Sequence, residues 1–211
     1  IPLLIEMGVK VDVLVWHELN SLVSSISQIS RVVSPSTANL AEYELHFPLL
    51  SLARIFKTTV ETIPADVPYL RPNASYMERW KPIIDGHASG LKVGIIWGGN
   101  ASPDASRSCP IEFLSLLSGV PNVSWYSLQV GEHREQLKKT PAEMNILDLG
   151  KSFKDFDDAA ALISQQRLPG PSPVNRDFGD TAAVMSQLDL IITIDTSAAN
   201  LAGALGLRAW V

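Results

Sequence analysis

A chain of 211 residues is long enough for one large domain or two small ones. Its 46% hydrophobic and 18% charged content excludes a disordered chain, and at this size about 70% of the unfolded surface can be buried without disulfide staples. A formal net charge of −5 without a basic run argues against a nucleic-acid surface, and the single Cys109 excludes an internal disulfide and fits a reducing, cytoplasmic setting.

The opening residues, IPLLIEMGVK, carry no basic leader and no cleavage site. They read as the end of an amphipathic helix, so the chain is expected to be a fragment. Glu6, Lys10, Asp12 and Asp189 break every apolar stretch short of the ~18 residues a membrane helix needs. Val11 to Trp16 reads as a strand, and Tyr43 to Phe47 alternates like a second one ended by Pro48. From 64 to 90 runs a Pro-, Gly- and Asn-bearing passage with a short helical candidate at Tyr76 to Trp80. It reads as the link between two lobes, with residues 1–70 as a partial first lobe, 71–90 as linker and 91–211 as the second lobe. Asn73-Ala74-Ser75 fits the glycosylation pattern, but nothing signals secretion.

The second lobe is patterned more strongly. LKVGIIWGG (91–99) is a near-continuous apolar run ending in glycines, as a buried parallel strand requires. IEFLSLLSG (111–119) has helical spacing with Gly119 as its stop, and NVSWYSLQV (122–130) is a β-branched and aromatic strand. HREQLKKTPAEM is a polar helix broken by Pro141, and NILDLG is a short strand. Residues 188–195 form another strand, 197–205 a small-residue helix stopped by Gly206, and Arg208 to Val211 begin one more strand. Strands alternating with helices predict parallel α/β sheets wound by βαβ units in both lobes. KDFDDAAALISQQ (154–166) is echoed by RDFGDTAAVMSQL (176–188), joined by the proline-rich RLPGPSPVN. Two copies are too few for a solenoid, so a local duplication is the plain reading.

Ligands of open parallel sheets gather beyond the carboxyl ends of the strands. Three such ends carry polar or glycine-rich residues: WGGN (97–100), SLQV (127–130) and IDTS (194–197). Asp195, Thr196 and Ser197 lead into a slim helix rich in alanine. Its first turn offers free N–H groups to a phosphate, or these residues simply cap it. Gly98 and Gly99 let a ligand approach the backbone. Arg107 and Ser108 precede Pro110 at another helix start, where the guanidinium can fork onto a phosphate or serve as a surface ion-pair residue. No GK[ST], GxGxxG or GxSxG motif is present. His17, His46, His87 and His133 are isolated, which reads as structural or surface roles, and no metal site is expected. Cys109 has no neighbour to activate it.

In this order the motifs LKVGIIWGGN, RSCPIEF, WYSLQVGE and DFGDTAAVMSQLDLIITIDTSAANLAGALG are similar to a known pattern. With FPLLSLARIFKTTVETIPADVPYL in the first lobe, they resemble the glycosyltransferase-like domain that follows tetratricopeptide repeats in many bacterial proteins. That domain is related to the heptosyltransferases of glycosyltransferase family nine and more distantly to protein O-GlcNAc transferases. The resemblance implies a GT-B fold of two Rossmann-like, doubly wound lobes, truncated here at both ends. It implies inverting, metal-independent transfer from a nucleotide-diphosphate sugar to a glycan or protein acceptor, without a bound cofactor. By the same resemblance Asp195, Thr196 and Ser197 lie by the donor diphosphate, and Trp97, Gly99 and Asn100 line the cleft. Arg107 and Ser108 lie near the phosphates, and Ser127 and Gln129 reach the nucleotide. Asn200 stands where relatives often have His, and Val130 where they often have Lys. The catalytic base of relatives lies in a Gly-rich segment that this sequence does not contain. The loss of two cations keeps a non-catalytic scaffold attached to repeats as the alternative, while a Rossmann-type dehydrogenase is disfavoured by the missing GxGxxG.

Overall fold

The computed structural model describes residues 1–100, 104–153 and 177–211. The first copy of the duplicated motif and its proline-rich joining loop lie outside the described residues. Seven described strands form two sheets: β1 (Asp12–Leu14) and β2 (Arg31–Val33) make a small parallel pair. The larger sheet contains β3 (Leu91–Ile95), β4 (Val123–Ser127), β5 (Leu147–Asp148), β6 (Leu190–Ile192) and β7 (Ala209–Trp210). Its order is β5-β4-β3-β6-β7, with every neighbouring pair parallel. The α/β expectation therefore holds, and the larger sheet is Rossmann-like in its winding.

Alternation along the strands splits the core between two faces, because successive side chains point to opposite sides. Tyr126, Leu128 and Ile191 pack on one face with Trp80, Ile84, Val184, Met185 and Leu201. Val93, Ile95, Trp97 and Trp125 pack on the other with Ile111, Leu114 and Met144. The first face is covered by three helices: α1 (Ala74–His87), α2 (Phe178–Met185) and α3 (Ser197–Ala204). The second is covered by 3₁₀ segments, Ile111–Leu117 and Glu132–Lys139. Connections from β3 to β4 and β5 thus run over one face, and the connection from β6 to β7 runs over the other. The winding reverses between β3 and β6.

Several local expectations are corrected. The passage 71–90 is more than a linker, because a 14-residue helix fills most of it and buries Trp80 and Ile84 under the large sheet. Tyr43 to Phe47 forms no strand; Leu45 is 74% exposed, and Tyr43 instead donates its hydroxyl to Asp12 Oδ2 at 3.0 Å. Alternation without a ladder partner does not make a strand. The expected helix at 111–119 is a 3₁₀ segment, whose period of three residues matches the inward-facing Ile111, Leu114 and Leu117. The polar helix is likewise a 3₁₀ run, ending ahead of Pro141. Helix α3 ends as predicted: Gly206 takes φ +69°, Leu207 N–H donates to Ala202 O at 2.9 Å and Gly206 N–H to Gly203 O at 3.0 Å. That paired closure needs a left-handed residue, which glycine supplies without a Cβ clash.

The DFGD sequence before α2 is a structural clasp. Asp177 caps α2 by accepting from Gly179 N–H at 2.8 Å, and it also accepts from Tyr76 Oη at 2.7 Å and from Ser21 Oγ. Asp180 accepts from the Trp80 indole at 2.7 Å and pairs with Arg79. One short acidic motif therefore joins the segment after β1, helix α1 and helix α2. The hydrogen bond to Asp177, followed by burial, holds the Tyr76 phenol above its ordinary range. A phenol raised in the folded state contributes stability that is full below its unfolded value of about 10 and is lost as pH rises through the folded value. Urea titrations between pH 8 and pH 11 should show this alkaline loss in the parent protein. The Tyr76→Phe variant should show a shallower one, and identical slopes would refute the assignment.

Candidate functional site

In an open α/β sheet the crevice lies where the winding reverses, outside the carboxyl ends of the two strands concerned. Here those strands are β3 and β6, so WGGN and IDTS, far apart in sequence, emerge side by side. A methyl group placed on Gly99 would lie 3.3 Å from Ile194 and 3.4 Å from Thr196, which puts the two loops in contact. The loop after β3 closes on itself: Cys109 N–H donates to Trp97 O at 2.8 Å, and Gly99 N–H donates to Ser108 Oγ at 3.1 Å. That closure carries Arg107 to the opposite loop, where its Nη1 donates to the Asp195 carbonyl at 3.3 Å. Arg107 is exposed and makes no salt bridge among the described residues; with the Ser106 hydrogen bonds as the larger cause, its charge helps hold the Asp104 carboxyl below its ordinary range.

Helix α3 starts at this point. Thr196 is its N-cap residue, yet the hydroxyl does not cap; it donates to Ile194 O at 3.3 Å. Thr196 O accepts from Ala199 and Asn200 N–H groups, while the Ser197 and Ala198 N–H groups have no protein partner among the described residues. The capping alternative is therefore the weaker one here. Ser197 and Asn200 are exposed, and the buried Ala198 keeps the first turn slim. Unsatisfied N–H groups and the positive end of the dipole favour an anion by ~0.3–1 kcal/mol when exposed. The exposed Asp195 carboxylate opposes an anion at the same place, and the Arg107 charge offsets it.

The structure brings Gly99, Asn100, Arg107, Ser108, Asp195, Thr196 and Ser197 to the crevice or its rim. It places Trp97, Ser127 and Gln129 beneath it, at 1%, 0% and 3% exposure. Gln129 turns inward: Oε1 accepts from Trp97 N–H at 3.0 Å and Gly98 N–H at 2.8 Å. Its Nε2 donates to Gly98 O at 2.9 Å and Val130 O at 2.8 Å. All four hydrogen-bonding positions of the amide are filled. Gln129 shapes the glycine loop from below rather than reaching outward. Ser127 Oγ accepts from Gln129 N–H at 3.3 Å and is held in the same network.

Sequence reasoning read His133 as a structural or surface residue and passed over Gln136. Gly131, at φ +71°, turns the chain back after β4 so that the His133 ring lies against Gly98; a Cβ there would fall 2.1 Å from the ring. The available signal was position, since both residues lie in the segment that follows β4. Among the described residues no group of three or more His, Cys, Asp or Glu side chains could hold a metal ion. No described helix is long and apolar enough to cross a membrane.

Comparison with known proteins yields one curated relative. The chain is similar to protein FlbA of Caulobacter vibrioides, with 26% identity over 153 residues. The match covers 71% of this chain and 22% of FlbA, so the chain spans about a fifth of that protein's length. No protein-family model matches the chain, and no solved structure matches it.

Proposed function

We propose that this chain is a glycosyltransferase-like domain of GT-B type, with its crevice between β3 and β6 holding the diphosphate of a nucleotide sugar. The observation that carries the reading is the uncapped start of α3 set against Arg107 at the reversal of the sheet. In this reading the small parallel sheet belongs to the acceptor-side lobe. An acceptor hydroxyl gives its proton to a general base as its oxygen attacks the anomeric carbon with inversion, while the sugar–diphosphate bond breaks and the nucleoside diphosphate leaves. Arg107 and the Ser197 and Ala198 N–H groups neutralise the departing diphosphate, the part a metal would otherwise take.

A specific observation supports a second reading. Val130 and Asn200 leave the rim without the two cations that the resembled family often carries, which suits a binding or scaffold domain that does not transfer sugar. Thermal unfolding against UDP-, GDP- and ADP-sugars separates the readings at their first step. A ligand at about 100 times its dissociation constant stabilises by about 2.7 kcal/mol. A shift confined to one nucleotide class supports the donor site and names the base. A folded protein that shifts with none of them favours the scaffold.

A further inference from the structure

We infer that two copies of this chain associate in solution as a twofold dimer, through the face carried by residues 45–69. None of residues 40–69 is buried, and residues 47–69, FPLLSLARIFKTTVETIPADVPY, contribute to neither core of the large sheet. Between Leu45 and Tyr69 nine large apolar side chains stand half or more exposed, led by Leu50 at 91% and Val60 at 82%. The segment is nonetheless fixed at both ends and shaped between them. Tyr43 donates its hydroxyl to Asp12 just ahead of it. The N–H groups of Tyr69 and Leu70 both donate to Ala204 O, at 3.0 and 3.1 Å. A short helix, Ser51–Ile55, and the 3₁₀ turn Val60–Thr62, boxed by Thr59, order the middle. The apolar side chains are therefore displayed on a held backbone.

Area and charge select a second copy as the cover. At roughly 100 Å² for each half-exposed side chain, the nine offer about 900 Å² of apolar surface along one segment. That exceeds the ~300–600 Å² of the largest patch on a typical monomer. A standard stable interface buries ~800 Å² per partner, so one such face covers another without recruiting further surface. A twofold contact must also match itself, and a face of one sign would repel its copy. This face carries both signs, Arg54 and Lys57 beside Glu44, Glu61 and Asp66. Among the described residues none of these five makes an ion pair within its own chain. All five remain available to a partner of the same composition.

Sedimentation velocity of the 211-residue chain, from low to high micromolar concentration, tests the inference without reference to the diphosphate reading. The parent should pass from one chain to two as concentration rises. The double variant Leu50→Glu, Val60→Glu should move that midpoint up by roughly tenfold or more, because a charge in a desolvated interface core stays unpaired. Both side chains are exposed in the single chain, so the variant should keep the parent's far-UV circular dichroism. Leu116→Glu, an exposed apolar position outside the face, should leave the dimer intact. A parent that sediments as one chain throughout overturns the inference. So does open-ended association, or a dimer that the double variant leaves as tight as the parent's.

Discussion

Replacing Gln129 with leucine should destabilise the protein by roughly 2–5 kcal/mol and abolish diphosphate binding in the same variant. The amide is buried and satisfies four backbone groups: the N–H groups of Trp97 and Gly98 and the carbonyls of Gly98 and Val130. Leucine matches the volume but leaves those groups without partners. A buried donor or acceptor left unsatisfied costs about 1–3 kcal/mol, with partial relief where the loop relaxes toward water. In a chain of this size each kcal/mol lowers Tm by about 2–4 °C. The second effect belongs to the diphosphate reading proposed above, because Gln129 holds the buried Gly98 backbone that sets Gly99 at the rim. Gln129→Glu provides the contrast: its buried carboxylate would set an oxygen against the Gly98 and Val130 carbonyls, so at neutral pH it should be no more stable than the leucine variant. Urea unfolding followed by titration with UDP checks both parts. A leucine variant with parental stability would show that the four bonds do not hold the loop.

The second large effect pairs Thr196→Asp with Arg107→Ala, because the two should separate stability from binding. Aspartate is a favoured cap, and at position 196 its carboxylate can take the N–H groups that the threonine hydroxyl leaves unpartnered. It should raise stability by about 0.5–1 kcal/mol through the cap and the helix dipole. It should also cut diphosphate affinity at least tenfold, since a resident anion occupies the place of the ligand. Arg107→Ala should leave stability nearly unchanged, since the side chain is exposed and among the described residues its hydrogen-bond partners are the Asp104 and Asp195 carbonyls at 3.5 and 3.3 Å. Losing its charge-assisted contacts should weaken binding by roughly 1.5–3 kcal/mol, or about 10- to 150-fold. A Thr196→Asp protein that binds diphosphate as tightly as the parent would place the ligand elsewhere.

The strands of the large sheet were legible because they are buried on both faces. Val93 to Ile95 and Leu190 to Ile192 read as apolar runs, with Lys92 and the exposed Asp189 standing at the strand starts. The order of the strands is a property of the winding, so the meeting of WGGN with IDTS became visible only in three dimensions. Helix α1 was read too short. Pro82 and Gly86 stand inside it and weaken the local signal, although Met77, Trp80 and Ile84 keep the spacing of a buried helical stripe. At the site, residue types were readable but directions were not. Trp97, Ser127 and Gln129 are polar or amphipathic residues at strand ends, where a ligand contact and a support for the neighbouring loop look alike in sequence. Which role each plays depends on whether its polar atoms are already satisfied, and that depends on partners some thirty residues away. The place of His133 was illegible for the same reason: the Trp97 indole donates to Gln136 at 3.1 Å, and Gln136 lies 3.2 Å from the His133 ring.

The Asp177 clasp has a consequence for synthesis on the ribosome. Ser21 and Tyr76 both bond to a carboxylate that lies 156 and 101 residues further along the chain. At about 5–20 residues per second, roughly 8–30 s separate the emergence of Ser21 from that of Asp177. Throughout that interval Leu19 and Leu22, which pack on helix α2 in the finished protein, have no surface to cover them. The nascent chain must therefore carry these early residues without their α2 partner until Asp177 and helix α2 have emerged. Slowing the ribosome ahead of codon 177 should lower the yield of folded protein more than the same pause placed after it.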